Sequence, residues 1–190
     1  MAWIHSIEPD DAEGPLEDLY DAIGKARSGV ADVHRAQSLN PRALRAHIEL
    51  YKAVVFARSS LGRVQRERIA VVVSQRNECA YCVAHHGESL GQLGEDPDVR
   101  ASLERGEIPP HLSEADRELL AWAQRTTERP AASSRADCQR LLSLGWDDRA
   151  VLDATLTIAY FNFVNRIVLL LGVDLEGDFE RFCGDDGDLA

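Results

Sequence analysis

The sequence predicts an all-α protein, on three observations. Apolar residues recur at helical spacing along most of the chain, helix-start and helix-stop residues bracket those runs, and no stretch carries a hairpin or βαβ pattern. With 190 residues, 45% hydrophobic and 28% charged, the chain has material for one domain with a sizeable core. The expectation is a bundle of about seven to eight helices, with a second helical lobe over about 113–174 and an acidic tail over about 175–190.

The elements follow in order. Pro15 to Arg27 reads as the first helix. Asn40-Pro41 supplies a cap and a first helical residue for a helix to about Phe56, with Leu44, Ile48, Tyr51 and Val55 on one face. Arg63 to Arg76 and Cys79 to Leu93 come next, then a proline-broken connection holding a short helix, Pro97 to Arg105. Ser113 with Asp116 forms a capping signal before ELLAWAQRTTE, and Ser134 to Leu144 follows. Asp147 caps a long helix ending at Leu171, where Gly172 supplies the stop. IAVVVS, residues 69–74, has strand-like composition. A strand there needs partners downstream, and with none visible the segment reads as helix.

Val151 to Leu171 approaches membrane-spanning length but contains Asp153, Asn162, Asn165 and Arg166. Such side chains are expensive in lipid, so the expectation is a helix buried in protein, with Asn162, Asn165 and Arg166 hydrogen-bonded across a lobe or subunit interface. The net charge of −11 argues against a nucleic-acid or anionic-membrane partner. MAWIHSIEPDD lacks the basic start and apolar run of an export signal, so a cytoplasmic location is expected. At an offset of 80 residues, ERIAVVVSQRNECAYCVAHH lies over DDRAVLDATLTIAYFNFVNR, an echo open to duplication or to chance likeness of amphipathic helices.

The chemistry concentrates in NECAYCVAHHGESL, residues 77–90, with Glu67 twelve residues before Cys79. Cys138 reads as a small buried hydrophobe, and Cys183 falls in the acidic tail. No secretory context supports a disulfide framework, so the CxxC pair reads as redox-active or metal-binding. Zinc fits poorly. On one helix, Cys79, Cys82 and His86 form a linear stripe about 10 Å long, at about 1.5 Å per residue, which does not converge on one tetrahedral ion. No metal and no cofactor is expected.

Thiol chemistry fits better. Cys79 at a helix N-terminus sits where backbone N–H groups favour a thiolate, Cys82 lies one turn on, and His86 is four residues beyond Cys82. A thiol of pKa about 8.5 is only about 3% ionised at pH 7, and lowering it to about 6.5 makes it about three-quarters thiolate. The helix terminus favours Cys79 as the more acidic thiol, whereas the nearby base favours Cys82. If helices 63–76 and 79–93 fold back around Asn77-Glu78, Glu67 and His86 stand at nearly the same level, about 16 and 13 Å from the break. A carboxylate there would fix the imidazole tautomer and assist proton transfer.

At Glu67, Cys79, Cys82 and His86 the chain resembles the alkylhydroperoxidase D-like (AhpD-like) / carboxymuconolactone decarboxylase family, whose motif is E-x11-C-x2-C-x3-H. RERIAVVVSQRNECAYCVAHH and AYFNFVNRIVLLLGVD are similar to its peroxidase-related branch, and the likeness runs from about Glu49 to Asp174. The resemblance implies an all-helical fold assembling into homo-oligomers (dimer, trimer or hexamer), with helix 151–171 near a subunit interface. It implies Cys82 as the peroxidatic thiol, Cys79 as the resolving thiol, and His86 with Glu67 as the proton relay. An external dithiol, a protein or a lipoyl-type group, would reduce the resulting disulfide. One departure is Tyr81, where the founding peroxidases carry histidine. Tyr81 and His85 are therefore auxiliary candidates, His85 alternatively being a surface or interface residue. Family decarboxylases lack the cysteine pair, which argues against that activity. The resulting expectation is a cytoplasmic, cofactor-free thiol peroxidase acting on hydrogen peroxide or organic hydroperoxides. The alternatives are a dithiol–disulfide oxidoreductase, or a non-catalytic helical oligomer with a redox-sensing or metal-binding CxxC.

Overall fold

A run of three valines flanked by isoleucine and alanine suits a helix surrounded on every side, and that is where residues 69–74 lie. The computed structural model describes residues 2–27 and 29–183 and contains nine α-helices among them, with no strand. In chain order these are α1 (Pro15–Arg27), α2 (Asp32–Arg35), α3 (Pro41–Val55), α4 (Arg63–Arg76), α5 (Ala80–Gln92), α6 (Pro97–Glu104), α7 (Glu114–Glu128), α8 (Arg135–Ser143) and α9 (Asp148–Leu171). The helix absent from the sequence expectation is α2, a single turn too short to carry a periodic signal.

Helix α4 is the hub, packing against α5, α6, α7 and α9. Ile69 through Ser74 are all buried, so no polar face remains to report its helical period. Its β-branched residues fill a core that continues through Leu90, Leu119, Leu120, Ala154 and Phe161. A smaller cluster joins α1 to α3 through Leu16, Leu19, Tyr20, Ile23 and Leu44.

The predicted caps are in place. Asn40 Oδ1 accepts from Ala43 N–H at 3.1 Å, Ser113 Oγ from Asp116 N–H at 3.1 Å, and Asp147 Oδ1 from Ala150 N–H at 2.7 Å. Gly172 ends α9 in the left-handed region at φ 58°, and a Cβ there would overlap the Trp3 indole.

Four expectations need correction. Helix α9 is buried on one face only, with Leu152, Leu156, Phe163, Leu169 and Leu170 exposed in the single chain. Its Asp153 is accommodated by Arg66 at 2.8 Å and Arg149 at 2.9 Å. Of the expected tail, residues 175–183 form a packed strap ending in a 3-10 turn, Phe179–Phe182, with Phe182 buried in the core, while 184–190 lie outside the described residues. The echo between the two segments does not extend to the backbone, because 67–86 is broken at Asn77–Cys79 whereas 148–166 is one helix. Cys138, expected in the core, is half-buried on α8.

Candidate active site

The break between α4 and α5 sets the positions of the thiols. Glu78 adopts φ 56°, the one non-glycine residue with positive φ among those described, and turns the chain so that Cys79 N–H meets Ser74 O at 2.8 Å. Holding a side chain there costs about 1–2 kcal/mol. Asn77 helps to fix the turn, its Nδ2 donating to Asn162 Oδ1 at 3.1 Å and Asn165 Oδ1 at 2.9 Å, while Asn165 Nδ2 donates to Ser74 Oγ at 3.0 Å. The polar residues of α9 are thus satisfied within the chain. Arg166 donates to Asn162 Oδ1 at 3.0 Å and completes the set.

Cys79 is consequently the cap residue of α5, one position earlier than a helical Cys79 would be, and Cys82 sits in its first turn. Both thiols are free and buried. The neighbouring Cys82 thiol holds the Cys79 thiol below the ordinary cysteine value against the opposing effect of burial. The same contact, reinforced by burial, holds the Cys82 thiol well above it, although Asn165 and Ser74 partly offset the rise. The two sulfurs therefore titrate as a unit, the first proton leaving more readily from Cys79 and the second being retained by Cys82.

The α4–α5 hairpin brings Glu67 and His86 together, His86 Nδ1 donating to Glu67 Oε2 at 2.6 Å. Glu67 is wholly buried, and its other oxygen accepts from Arg63 at 2.7 Å. Burial alone would raise the carboxyl pKa, but His86 and Arg63 together outweigh it and hold the group below its usual range. A fixed anion on Nδ1 keeps the proton there and turns Nε2 outward as the exchangeable nitrogen. Among the described residues no hydrogen bond joins His86 to Cys82, yet both line one cavity of about 50 Å³. At about 30 Å³ per water in the liquid, that space takes about one or two water molecules, so one could bridge the imidazole to the thiol.

Tyr81 and His85 do not join this pair. They converge on Glu176, a strap residue that no local sequence signal connects to them. Tyr81 O–H donates to Glu176 Oε1 at 2.9 Å and His85 Nε2 to Glu176 Oε2 at 3.0 Å, while Asp32 N–H donates to Oε1 at 2.5 Å. Burial raises the Glu176 pKa less than His85 and Tyr81 lower it, so it stays an anion. Burial and that neighbouring anion push the Tyr81 pKa well above its ordinary value and keep it a neutral donor. His85, expected at a surface or interface, is instead buried under the strap, with Cys183 Sγ 3.7 Å from its Nδ1. Phe182 lines the cavity beside it.

Residues outside the sequence expectation complete the cavity. His47 on α3 is buried, its Nε2 lying 2.8 Å from Tyr160 Oη on α9, and its Nδ1 is held by the Gln37 side chain at 2.9–3.0 Å. The ring of Phe161, next to Tyr160 on α9, meets His86 edge-on, with centroids 4.6 Å apart. Among the described residues no cluster of three or more His, Cys, Asp or Glu side chains is arranged to hold a metal ion.

The carboxymuconolactone decarboxylase family model matches residues 41–125, which include α4, the thiol pair and His86. A peroxidase-related protein from Silicibacter sp. TM1040 is similar at 27% identity, covering 88% of this chain and 90% of its own, with a TM-score of 0.78. A peroxidase-related protein from Ralstonia eutropha JMP134, described as an alkylhydroperoxidase AhpD core, is 21% identical over 94% of each chain, with a TM-score of 0.85. The debrominase Bmp8, solved with 2,3,4-tribromopyrrole, shares the fold at 18% identity over 95% of this chain and 96% of its own, with a TM-score of 0.77. Residues 41–125 are thus similar to the carboxymuconolactone decarboxylase family, and the fold around them is that of the peroxidase-related and AhpD-core structures.

Proposed function

We propose that the protein is a thiol peroxidase that reduces hydrogen peroxide or a small organic hydroperoxide through Cys82. The observation that carries this reading is the cavity that Cys82 shares with His86, whose other nitrogen is held by the buried Glu67 at 2.6 Å. Acid strength and access point to different sulfurs, Cys79 being the more acidic and Cys82 the one that lines the cavity. Access decides, because a peroxide must reach the sulfur in line before ionisation matters.

In the proposed step Cys82 sulfur attacks the distal peroxide oxygen, the S–O bond forms and the O–O bond breaks. Sulfur is oxidised by two electrons and the peroxide is reduced to water or an alcohol. His86 takes the Cys82 proton through a water admitted to the cavity and returns it to the departing oxygen. The Cys79 thiol then attacks the Cys82 sulfenic acid, releasing water and forming the disulfide, which an external dithiol reduces by exchange. That reductant is a protein or a lipoyl-type group, and the reducing cytosol is the proposed setting. The exposed apolar face of α9 supports assembly as a homo-oligomer.

The test is single-turnover reaction with peroxide. Cys82→Ser should abolish it, whereas Cys79→Ser should react once and accumulate a sulfenic acid trapped by a dimedone-type reagent at Cys82. Glu67→Gln and His86→Ala should slow that reaction on the order of 10²–10⁴-fold. An adduct at Cys79 in the Cys82→Ser protein reverses the roles of the thiols. Wild-type rates in both cysteine variants rule out a peroxidase site. Reductant oxidation without peroxide turnover identifies a dithiol–disulfide oxidoreductase instead, and inertness in both assays a redox-sensing latch. Since the fold also serves debromination in Bmp8, tribromopyrrole belongs among the trial substrates.

A further inference from the structure

The peroxidase reading uses Cys79 and Cys82 and leaves a second set of reactive groups unused. Cys183 stands at the end of the strap, and its Sγ lies 3.7 Å from Nδ1 of His85. The opposite nitrogen of that ring, Nε2, lies 3.0 Å from Glu176 Oε2, so one imidazole joins a thiol to a carboxylate. Glu176 is held in turn at its other oxygen, where Tyr81 O–H donates at 2.9 Å. A nucleophile, a base beside it and a third group that orients the base make up the arrangement that activates cysteine and serine on unrelated folds.

The protonation pattern follows from the carboxylate. An ionised carboxylate only accepts, and Glu176 stays an anion, so His85 Nε2 carries the hydrogen and Nδ1 faces the sulfur. The pair is then a thiol beside imidazole or a thiolate beside imidazolium, and in both forms the Cys183 proton has the imidazole as its destination. The ring is held between Tyr81 at 4.4 Å, Phe179 at 5.5 Å and Phe182 at 6.3 Å, centroid to centroid. The other charged groups nearby pair among themselves. Asp32 of α2 pairs with Arg35, while Arg181 of the strap pairs with Asp178 at 3.2 Å and stacks on Phe182 at 4.5 Å. A cysteine with only a packing role needs none of this, since Cys183 Sγ already meets Phe179 O at 3.5 Å within its own turn. Cys183 is also partly exposed, whereas Cys79 and Cys82 are buried.

Independently of the peroxidase reading, we propose that Cys183 is a second nucleophilic thiol, activated by His85 with Glu176 as its positioning residue, whose substrates are low-molecular-weight disulfides. The Cys183 sulfur attacks one sulfur of the disulfide while His85 Nδ1 takes its proton. The new S–S bond forms and the old one breaks, its electron pair leaving on the second sulfur as a thiolate, which receives the proton from His85. Cys183 is oxidised and the departing sulfur is reduced, so no further co-reactant is needed. Partial exposure admits a molecule larger than a peroxide, and a departing thiolate is stable near neutral pH without a dedicated donor. The product is a mixed disulfide on the strap, at the contact that ties Cys183 to His85, which itself lines the Cys82 cavity.

The experiment isolates each of the two partly exposed thiols. One protein keeps only Cys183, through Cys79→Ser, Cys82→Ser and Cys138→Ser. Another keeps only Cys138, which is half-buried like Cys183, through Cys79→Ser, Cys82→Ser and Cys183→Ser. The probe is 2-hydroxyethyl disulfide, a small neutral molecule, and the mixed disulfide is counted by intact mass. At about pH 6 Cys183 should react about 10-fold faster than Cys138, less than a positioned base usually gives because an acidified thiol is also a weaker nucleophile. His85→Gln keeps an amide donor for Glu176 but cannot take a proton. It should cancel that advantage at about pH 6 and leave the rate at about pH 9 within about 3-fold, where hydroxide ionises an ordinary thiol. Thermal unfolding reports whether each variant is folded, and where one is not, adduct mapping in the full wild-type chain at limiting disulfide makes the same comparison. Equal rates of Cys183 and Cys138 at the lower pH overturn the proposal. A His85→Gln loss of the same size at both pH values also overturns it, because a structural role alone gives that result. The reaction is scored without peroxide and without Cys82, so its failure leaves the peroxidase reading standing.

Discussion

Removing the Glu176 carboxylate should open the cavity to bulky reagents without much changing its reaction with small ones. Glu176 receives hydrogen bonds from Tyr81, His85 and the Asp32 backbone and is 7% exposed at its side chain. Each hydrogen bond to a charged group is worth about 1.5–3 kcal/mol. The donors regain water once the strap lifts, so a net loss of about 3 kcal/mol for Glu176→Ala is a conservative figure. At about 1.4 kcal/mol per tenfold change, that raises the open population by about 10²-fold. Phe182 and Cys82 line the same cavity, so lifting the strap should widen the approach to Cys82. In a protein with Cys79, Cys138 and Cys183 replaced by serine, the rate of Cys82 with a polymer-linked maleimide should therefore rise about 10²-fold. The rate with hydrogen peroxide should change by less than about 3-fold, because the cavity already has room for one or two water-sized molecules. The pH dependence has a defined sign. Glu176 has a depressed folded pKa, so its contribution is complete above the ordinary carboxyl value and disappears as pH falls through the folded one. Acid should thus raise maleimide access in the parent and not in Glu176→Ala. A maleimide-to-peroxide ratio that is the same in both proteins at neutral pH refutes the closure by Glu176.

Two further outcomes follow from the same contacts. Glu67 also has a depressed pKa, so Glu67→Gln should lower stability at neutral pH by about 1.5–3 kcal/mol, and the gap should close as pH falls below the carboxyl range. A difference in melting temperature that stays constant down to acid unfolding contradicts that assignment. On α9, Leu156, Phe163 and Leu170 recur every seven residues on the exposed side with Leu152 one turn before, a seam suited to a second helix. Leu156→Asp should shift the parent oligomer to monomer in sedimentation velocity at micromolar concentration, and a parent already monomeric there would sink the proposal of assembly.

How much of this was legible in the sequence depended on how far apart the partners lie. The Glu67–His86 contact could be anticipated because a two-helix hairpin with a short break brings equidistant residues level, whatever the rest of the fold does. The helix caps were readable for the same reason, each being settled within three residues. The valines of α4 were ambiguous because a helix surrounded on all sides displays no period, and the hub of a bundle is such a helix. Helix α9 was read as buried from its composition, yet composition does not distinguish a core helix from one whose second face awaits a partner.

The cavity shows where local reading runs out. Glu176 meets Tyr81 from 95 residues away, and Tyr160 meets His47 from 113, with neither pair set by a helical repeat or a turn. Tyr81 is the instructive case. Read alone, a tyrosine where the founding peroxidases carry histidine looks like a weakened proton relay. Beside Glu176 it is a neutral donor that fastens the strap over the cavity, a task that requires a hydroxyl that does not ionise. In the proposed peroxidase cycle, proton transfer is then assigned to His86, whose Nδ1 is held by Glu67. A histidine placed there, as Tyr81→His, would put a titrating group against Glu176 and make the contact depend on pH within the imidazole range.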